Sequence, residues 1–198
     1  MFSKKIEINL EKPDDIIHLE PISDIHIGHA GFDEEHYKKR IKAISKDKNR
    51  YTFFGGDALD AITTYDKRFN PDMSLEHDID NQRLRWQNLS QKLFDIHAEQ
   101  KNEKVWGFFH GNHDYKIPQI SRAYLQNTMC TPNNLTFLGS RGVLGLEVKY
   151  NKKILAQWSI LFMHGSGGGK PERMMEQMKH NAYYDVFLCG HLHQKRYQ

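Results

Sequence analysis

Residues 50–60 read RYTFFGGDALD, an apolar run that ends in two glycines and is followed by two carboxylates. A short run rich in aromatic residues and closed by glycine predicts a buried strand over Arg50–Gly55 with a sharp turn at its carboxyl end. That turn carries Asp57 and Asp60. In α/β sheets, ligands bind in the crevice outside the carboxyl ends of the strands. We therefore expect the two acidic residues to lie at a binding edge.

The chain on either side of this strand alternates between strand and helix patterns. Upstream, 16–27 predicts a strand that runs into a loop, and 33–47 predicts a helix with Asp33 as its N-cap. Downstream, the apolar stripe of 81–100 predicts the clearest helix, and 105–110 predicts a third strand.

The second half of the chain predicts shorter strands joined by turns. These strands are expected at 135–138, 143–150, 154–163 and 184–189, with a helix after Pro171. Alternating units followed by a more antiparallel region favour an α/β fold of two sheets with helices outside. Because no linker divides the sequence, we expect residues 1–198 to form a single domain.

The composition is that of a folded chain, since 38% of the 198 residues are hydrophobic and 12% are aromatic. No run approaches the about 18 apolar residues of a membrane span, and the N-terminus lacks a hydrophobic signal core. Two cysteines are too few for a disulfide framework, and the run VFLCG predicts that Cys189 is a buried thiol. We therefore expect a cytoplasmic protein without a membrane partner. The net charge of +3 is too small to indicate nucleic acid by itself.

Side chains that can bind metal recur just after the predicted strands. Five segments carry them: SDIHIGH at 23–29, GGDALD at 55–60, GNHD at 111–114, MHG at 163–165 and GHLH at 190–193. The candidate ligands are Asp24, His26, Asp57, Asn112, His164, His191 and His193. Seven ligands suit two ions that share one carboxylate, and the mixed imidazole and carboxylate donors favour Mn, with Fe or Zn as alternatives. Two ions about 3.5–4 Å apart are the usual device for phosphoryl displacement.

The ordered series D-x-H, G-D, G-N-H-D, H-G and G-H-x-H, between residues 22 and 193, resembles the motifs of the calcineurin-like binuclear metallophosphoesterases. The resemblance implies a four-layer α/β/β/α sandwich of two mixed sheets, with the metal site at the carboxyl ends of the strands. The implied ligands of the first ion are Asp24, His26 and His193. Those of the second ion are Asn112, His164 and His191, with Asp57 bridging both.

The resemblance assigns His113 to catalysis rather than to metal binding. In that role His113 stabilises developing charge and protonates the leaving oxygen. Asp60 matches an acid that orients this histidine in some branches of the family, and Asp114 is the alternative for that role. His29 follows the first motif closely enough to be a second neighbour of the ligands.

The residues around the motifs distinguish branches of the family. Ala61 stands where the phosphoprotein phosphatases carry a phosphate-holding arginine, and Asp114 stands where they carry glutamate. The D-I-H-I-G and G-N-H-D segments are similar to the nuclease and phosphodiesterase branches. We therefore expect an enzyme that hydrolyses phosphodiesters, of nucleic acid or nucleotide type, by attack of a metal-bridging hydroxide. The alternatives are a phosphomonoesterase of the same fold and a non-catalytic scaffold.

Residues 63–82 are polar, lack clear periodicity and are long for a connection, which is typical of functional loops. We expect this insertion to cover one side of the metal cleft and to limit which phosphoesters enter. The candidate phosphate contacts in or just after it are Lys67, Arg68, Arg83 and Arg85, with solvated charge as the alternative. The chain ends five residues after His193, so the resemblance leads us to expect either a minimal or truncated form or a sheet that partner residues complete.

Overall fold

The computed structural model describes residues 2–99, 103–115, 122–165, 176 and 183–191. The described residues form a mixed α/β structure with two sheets and several helices, which confirms the predicted fold class at that level. Two predictions lie outside the described residues: the helix after Pro171 and the proposed ligand His193. No helix within the described ranges is long and apolar enough to cross a membrane.

The smaller sheet is parallel and has the strand order β2 (His18–Leu19), β3 (Arg50–Gly55) and β4 (Val105–Phe109). β3 has the predicted bounds, and β4 ends one residue before the predicted end. The strand predicted at 16–27 shortens to β2 and isolated bridges. Extended backbone cannot continue there, because Asp24 and His26 have φ values of 55° and 51°.

Two long helices cover one face of this sheet: α1 (Glu34–Lys46) and α2 (Ile79–Glu99). α1 begins after Asp33, whose side chain accepts a hydrogen bond from the backbone N–H of His36, as an N-cap does. The Phe54 ring of β3 lies 5.2 Å from the Trp86 ring of α2. The helices and the sheet therefore share one apolar cluster, which also contains Tyr37, Ile41, Ile44, Leu93, Phe94 and Phe108.

The larger sheet is mixed and has the order β1 (Phe2–Asn9), β5 (Arg141–Tyr150), β6 (Lys153–His164) and β7 (Val186–Gly190). β5 and β6 are antiparallel, whereas β1 is parallel to β5 and β7 is parallel to β6. Asn151 and Lys152 join β5 to β6 with φ values of 48° and 66°, which suits the twist of a tight hairpin. Cys189 of β7 is exposed, so the prediction of a buried thiol is wrong.

Sequence analysis does not predict β1, and its prediction of a strand at 135–138 is wrong. In β1 the buried Ile6 and Ile8 alternate with exposed Lys5 and Glu7, so its period-two pattern is hidden by a high charge content. The predicted strand at 135–138 is an irregular segment that follows the edge of β4 through an isolated bridge between Phe137 and Phe108.

Shorter helical turns follow β4: α3 (Asn112–Tyr115), α4 (Arg122–Leu125), a π-helical turn (Gln126–Cys130) and a 3-10 turn (Thr131–Asn133).

The two sheets pack face to face through aromatic side chains. Because successive side chains on a strand point to opposite faces, β3 directs Tyr51 and Phe53 towards the larger sheet and Phe54 towards the helices. The Phe53 ring lies 5.4 Å from Phe109 and 5.1 Å from Phe162. Helices, smaller sheet and larger sheet are thus packed in that order, and β3 is buried on both sides.

Replacing Phe53 by alanine should lower the free energy of unfolding by about 3–5 kcal/mol, because the cavity left between two sheets cannot easily collapse. Urea denaturation followed by tryptophan fluorescence measures the change. Leu155→Ala is the matched control, since that side chain is 48% exposed and its loss should cost little. A similar loss in both variants would contradict the role given to Phe53.

Candidate metal centre

The candidate ligands lie where strands of both sheets end. β3 and β4 run parallel to each other, as do β6 and β7, so each pair brings its carboxyl ends to one edge. His164 is the last residue of β6, and His191 follows the last residue of β7. His164 Nε2 lies 3.0 Å from Asp57 Oδ2, so the ends of β6 and β3 meet at one place.

Three groups of side chains each have ligand atoms within 4.8 Å of one another. The first group is Asp24, His26 and Asp57, and the second is Asp57, His164 and His191. The third is His26, Asp60 and His113. Asp57 belongs to the first two groups, which is the position that sequence analysis assigns to a bridging carboxylate. The predicted ligand His193 lies outside the described residues.

His164 is oriented as a metal-binding histidine would be. Its Nδ1 lies 2.7 Å from the carbonyl oxygen of Gly55, so an N–H at Nδ1 donates there and Nε2 faces Asp57. Burial lowers the pKa of His164, but the hydrogen bond and charge of Asp57 outweigh burial and raise it to about 9. The imidazolium therefore neutralises a carboxylate that a cation could neutralise instead.

Asp57 shows the reciprocal effect. Burial raises its pKa, but the hydrogen bond from His164 and the nearby histidine charges outweigh burial and lower the pKa to about 2. Its other oxygen, Oδ1, accepts a hydrogen bond of 2.8 Å from the backbone N–H of His113. The carboxylate is thus ionised and buried, with 1% of the residue exposed.

Asp24 connects the loop after β2 to the end of β7. Its Oδ1 accepts a 2.9 Å hydrogen bond from the backbone N–H of His191, and its Oδ2 accepts a 2.6 Å hydrogen bond from Ser23 Oγ. The Nε2 atom of His26 lies 3.9 Å from Asp57 Oδ2. The contact of His26 with Asp57 Oδ2 is therefore longer than the 3.0 Å contact that His164 makes with the same atom.

Asn112 supplies a further observation that fits a metal. Among the described residues, its buried Oδ1 atom has no hydrogen-bond partner. Such an atom is costly unless it has a partner, and an amide oxygen is a suitable ligand for a divalent cation. Asn112 directly precedes His113, whose backbone N–H donates to Asp57. The side-chain amide of Asn112 therefore belongs to the chain segment that follows β4. Imidazole, carboxylate and amide donors together fit Mn, Fe or Zn.

The backbone is strained at the candidate ligands. Asp24, His26, Asp57 and His191 have φ values of 55°, 51°, 50° and 90°. Such values cost about 1–3 kcal/mol each in residues other than glycine and are concentrated at functional sites. Close packing adds a further constraint, because a Cβ atom at Gly111 would lie 1.9 Å from Asp57 Oδ1. Only glycine fits at that position.

His113, predicted to be catalytic, lies beside the ligands. Its Nδ1 atom is 2.7 Å from the carbonyl oxygen of Asp60 and 3.6 Å from Asp60 Oδ1. Its ring is 4.5 Å from the His26 ring. Burial lowers the pKa of His113, but the carboxylate and carbonyl of Asp60, with the charge of Asp57, outweigh it and raise the pKa.

Asp114 and His29, the other two residues that sequence analysis places near the ligands, both contact backbone N–H groups. Asp114 is fully buried, and its carboxylate accepts backbone N–H bonds from Leu59 at 3.1 Å and Gly111 at 3.0 Å. Burial and the charge of Asp57 raise its pKa to about 6. It joins the loops after β3 and β4, whereas Asp60 has the contact with His113. His29 Nδ1 accepts from the backbone N–H of Gly31, and its ring is 6.5 Å from that of His26.

The predicted insertion lies against the loop that carries the first group. The N–H groups of Leu75 and Glu76 donate to the carbonyl oxygen of Gly28 at 2.8 and 3.1 Å. Sequence analysis places its end at 82, but α2 begins at Ile79, so the irregular segment is 63–78.

Arg68 reaches the site, since its Nη1 is 3.3 Å from His113 Nε2. Lys67 is exposed and Arg85 pairs with Glu34, which agrees with the alternative prediction that these two charges are solvated.

A cavity of about 280 Å³ adjoins the first group between α1 and the loop after β2. Asp24 lines it together with Tyr37 and Arg40. Arg40 is held at one side of it by Glu20, whose Oε1 lies 3.0 Å from Arg40 Nε. Of the candidate ligands in the described part of the chain, Asp24 alone lines this cavity.

Comparison with protein-family models and with curated proteins finds no match to the chain.

Asp57→Asn should lower the amount of Mn²⁺ bound per chain from two ions to one or fewer, because the shared carboxylate belongs to both ligand groups. Elemental analysis after loading and dialysis measures this. Asp72→Asn, which removes an exposed carboxylate from the insertion, should still bind two ions. A native stoichiometry of one, left unchanged by Asp57→Asn, would rule out the bridged pair.

Proposed function

We propose that the chain is a binuclear metal-dependent phosphoesterase that hydrolyses phosphodiesters of nucleic acid or nucleotide type. The observation that carries this proposal is the membership of one buried carboxylate, Asp57, in two groups of metal-ligating side chains. The ordered motifs that resemble the calcineurin-like metallophosphoesterases give the same arrangement. The proposal includes their four-layer α/β/β/α sandwich.

The residues would divide between two cations. Asp24, His26 and Asp57 would hold one, together with His193. Asp57, Asn112, His164 and His191 would hold the other. Mn is the expected metal, with Fe or Zn as alternatives. A pair of such cations activates water and offsets charge on the oxygens of the phosphoryl group.

The protein's own groups would orient the reaction. The carbonyl oxygen of Asp60 accepts from His113 Nδ1, which fixes the ring and leaves Nε2 as the atom that can give a proton to the leaving oxygen. Asp114 keeps Gly111 and Leu59 together, so His113 stays beside Asp57. Holding these groups rigidly lowers the cost of reorganisation during the reaction.

The residues around the motifs support a diester as substrate. Ala61 has no charge with which to bind the additional negative charge of a monoester, and the motifs resemble those of the phosphodiesterase branches. A phosphomonoesterase is the alternative within the same chemistry.

A substrate panel with the Mn-loaded protein tests the proposal. It should contain bis-p-nitrophenyl phosphate, p-nitrophenyl phosphate, cyclic nucleotides, single- and double-stranded DNA, and RNA. We expect diesters to be hydrolysed faster than p-nitrophenyl phosphate, and Asp57→Asn to abolish the activity. Preference for the monoester would select the alternative, and inactivity on the whole panel would indicate a non-catalytic scaffold.

His113→Ala should leave the Mn content unchanged and lower kcat about 10²- to 10⁴-fold, because the proton donor is lost while the ligands remain. The loss should be smaller for p-nitrophenyl esters, whose leaving group needs no proton, than for DNA. His18→Ala, at an exposed position where β2 pairs with the start of β3 and away from the carboxyl ends of the strands, is the control and should retain full activity. Loss of Mn from His113→Ala would mean that His113 is a ligand.

A further inference from the structure

We propose that Arg68 contacts the phosphoryl group of the substrate beside His113, and that Asp66 positions it. This inference deepens the proposed function and rests on it for the identity of the substrate. It assigns a phosphate-binding residue to the irregular segment 63–78, which carries none of the metal-ligating motifs.

Arg68 is held in an ordered turn. The N–H of Asp66 donates to the carbonyl oxygen of Thr63 at 2.9 Å, and the N–H of Phe69 donates to the carbonyl oxygen of Asp66 at 2.8 Å. The backbone N–H of Arg68 also donates to Asp66 Oδ1 at 2.9 Å, as in an Asx turn. The backbone from which the guanidinium projects is therefore fixed.

Asp66 also fixes the guanidinium itself. Arg68 Nε lies 3.0 Å from Asp66 Oδ1, and Nη2 lies 2.5 Å from Oδ2, which makes a two-point contact. The hydrogen bond with Asp66 raises the pKa of Arg68, and the charges of Asp60 and Asp57 act in the same direction. The guanidinium thus keeps its charge, and its Nε and Nη2 edge is occupied.

The remaining nitrogen faces the site. Arg68 Nη1 lies 3.3 Å from His113 Nε2, the atom proposed to protonate the leaving oxygen. A phosphoryl oxygen that bound beside these two nitrogens would have both as neighbours, and guanidinium geometry suits phosphate oxygens. The side chain of Arg68 is 31% exposed, so an incoming ligand can reach it. His113, Arg68 and Asp66 therefore form a chain of contacts from the site to the insertion.

Lys67 offers a matched control for the charge of Arg68. It lies in the same turn, carries the same charge and has an exposed side chain. Lys67→Met and Arg68→Met therefore remove one positive charge each from neighbouring positions. Only Arg68→Met also removes the nitrogen that faces His113.

The first measurement is the binding of inorganic phosphate to the Mn-loaded protein by calorimetry. Arg68→Met should weaken phosphate binding about 10- to 100-fold, the effect of losing one hydrogen bond to a charged group, without loss of Mn. Arg68→Lys should recover part of the affinity, and Lys67→Met should stay within about twofold of the native protein. Asp66→Asn should weaken binding less than Arg68→Met, because the guanidinium remains but is no longer held.

The second measurement is the hydrolysis of bis-p-nitrophenyl phosphate. Arg68→Met should raise KM by a factor similar to the loss of phosphate affinity. A purely structural role would instead lower the Mn content and the melting temperature of Arg68→Met, and that result would overturn the assignment. Unchanged phosphate affinity in Arg68→Met, or an equal loss in Lys67→Met, would also overturn it.

The two proposals fail in different ways. If the native protein binds phosphate through Arg68 but hydrolyses no phosphoester, the proposed function fails and the assignment of Arg68 stands. If it hydrolyses diesters and Arg68→Met behaves like the native protein, the assignment alone fails. A native protein that neither binds phosphate nor hydrolyses a phosphoester would overturn both.

Discussion

The carboxylate of Asp57 is held from three directions: by the imidazole of His164, by the backbone N–H of His113 and by the packing of Gly111 against it. A buried carboxylate needs this many partners, because burial without them would drive it to the neutral form. These partners come from two strand ends, since His164 closes β6 and both Gly111 and His113 follow β4. The convergence of β3, β4 and β6 at this edge thus depends on one ionised group, and the geometry of both ligand groups follows from its position.

The apolar layers on either side of β3 hold that position. Phe54 packs against the helices, and Phe53 packs against Phe109 and Phe162 of the neighbouring strands. Four candidate ligand residues with positive φ can persist only where the surrounding structure is rigid enough to offset their strain. The double burial of β3 supplies this rigidity, and the strain is located in the turns immediately after it and its neighbours.

Asp60, Asp66 and Asp114 each contact different polar groups in and around the candidate site. Asp114 accepts two backbone N–H groups and connects the loops after β3 and β4. Asp60 lies beside the imidazoles of His26 and His113, 3.6 Å from the Nδ1 atom of each. Asp66 holds Arg68 from the insertion. In the candidate site, each of these carboxylates except that of Asp114 therefore lies beside a basic side chain. Arg68 is the basic residue among them that comes from the insertion rather than from a strand end.

The amino-acid sequence by itself determined the elements whose signals are local. The aromatic run of β3 and the Asp33 cap of α1 depend on neighbouring residues, so their bounds were predictable. Recurrent His and Asp residues after glycine-bounded strands likewise identified the candidate ligands. Tertiary structure decided what depends on distant residues. β1 forms because β5 pairs with a charged segment more than 130 positions away, and Arg68 meets His113 across 45 positions. Local periodicity carries no information about such contacts, since they arise only when separate elements pack together.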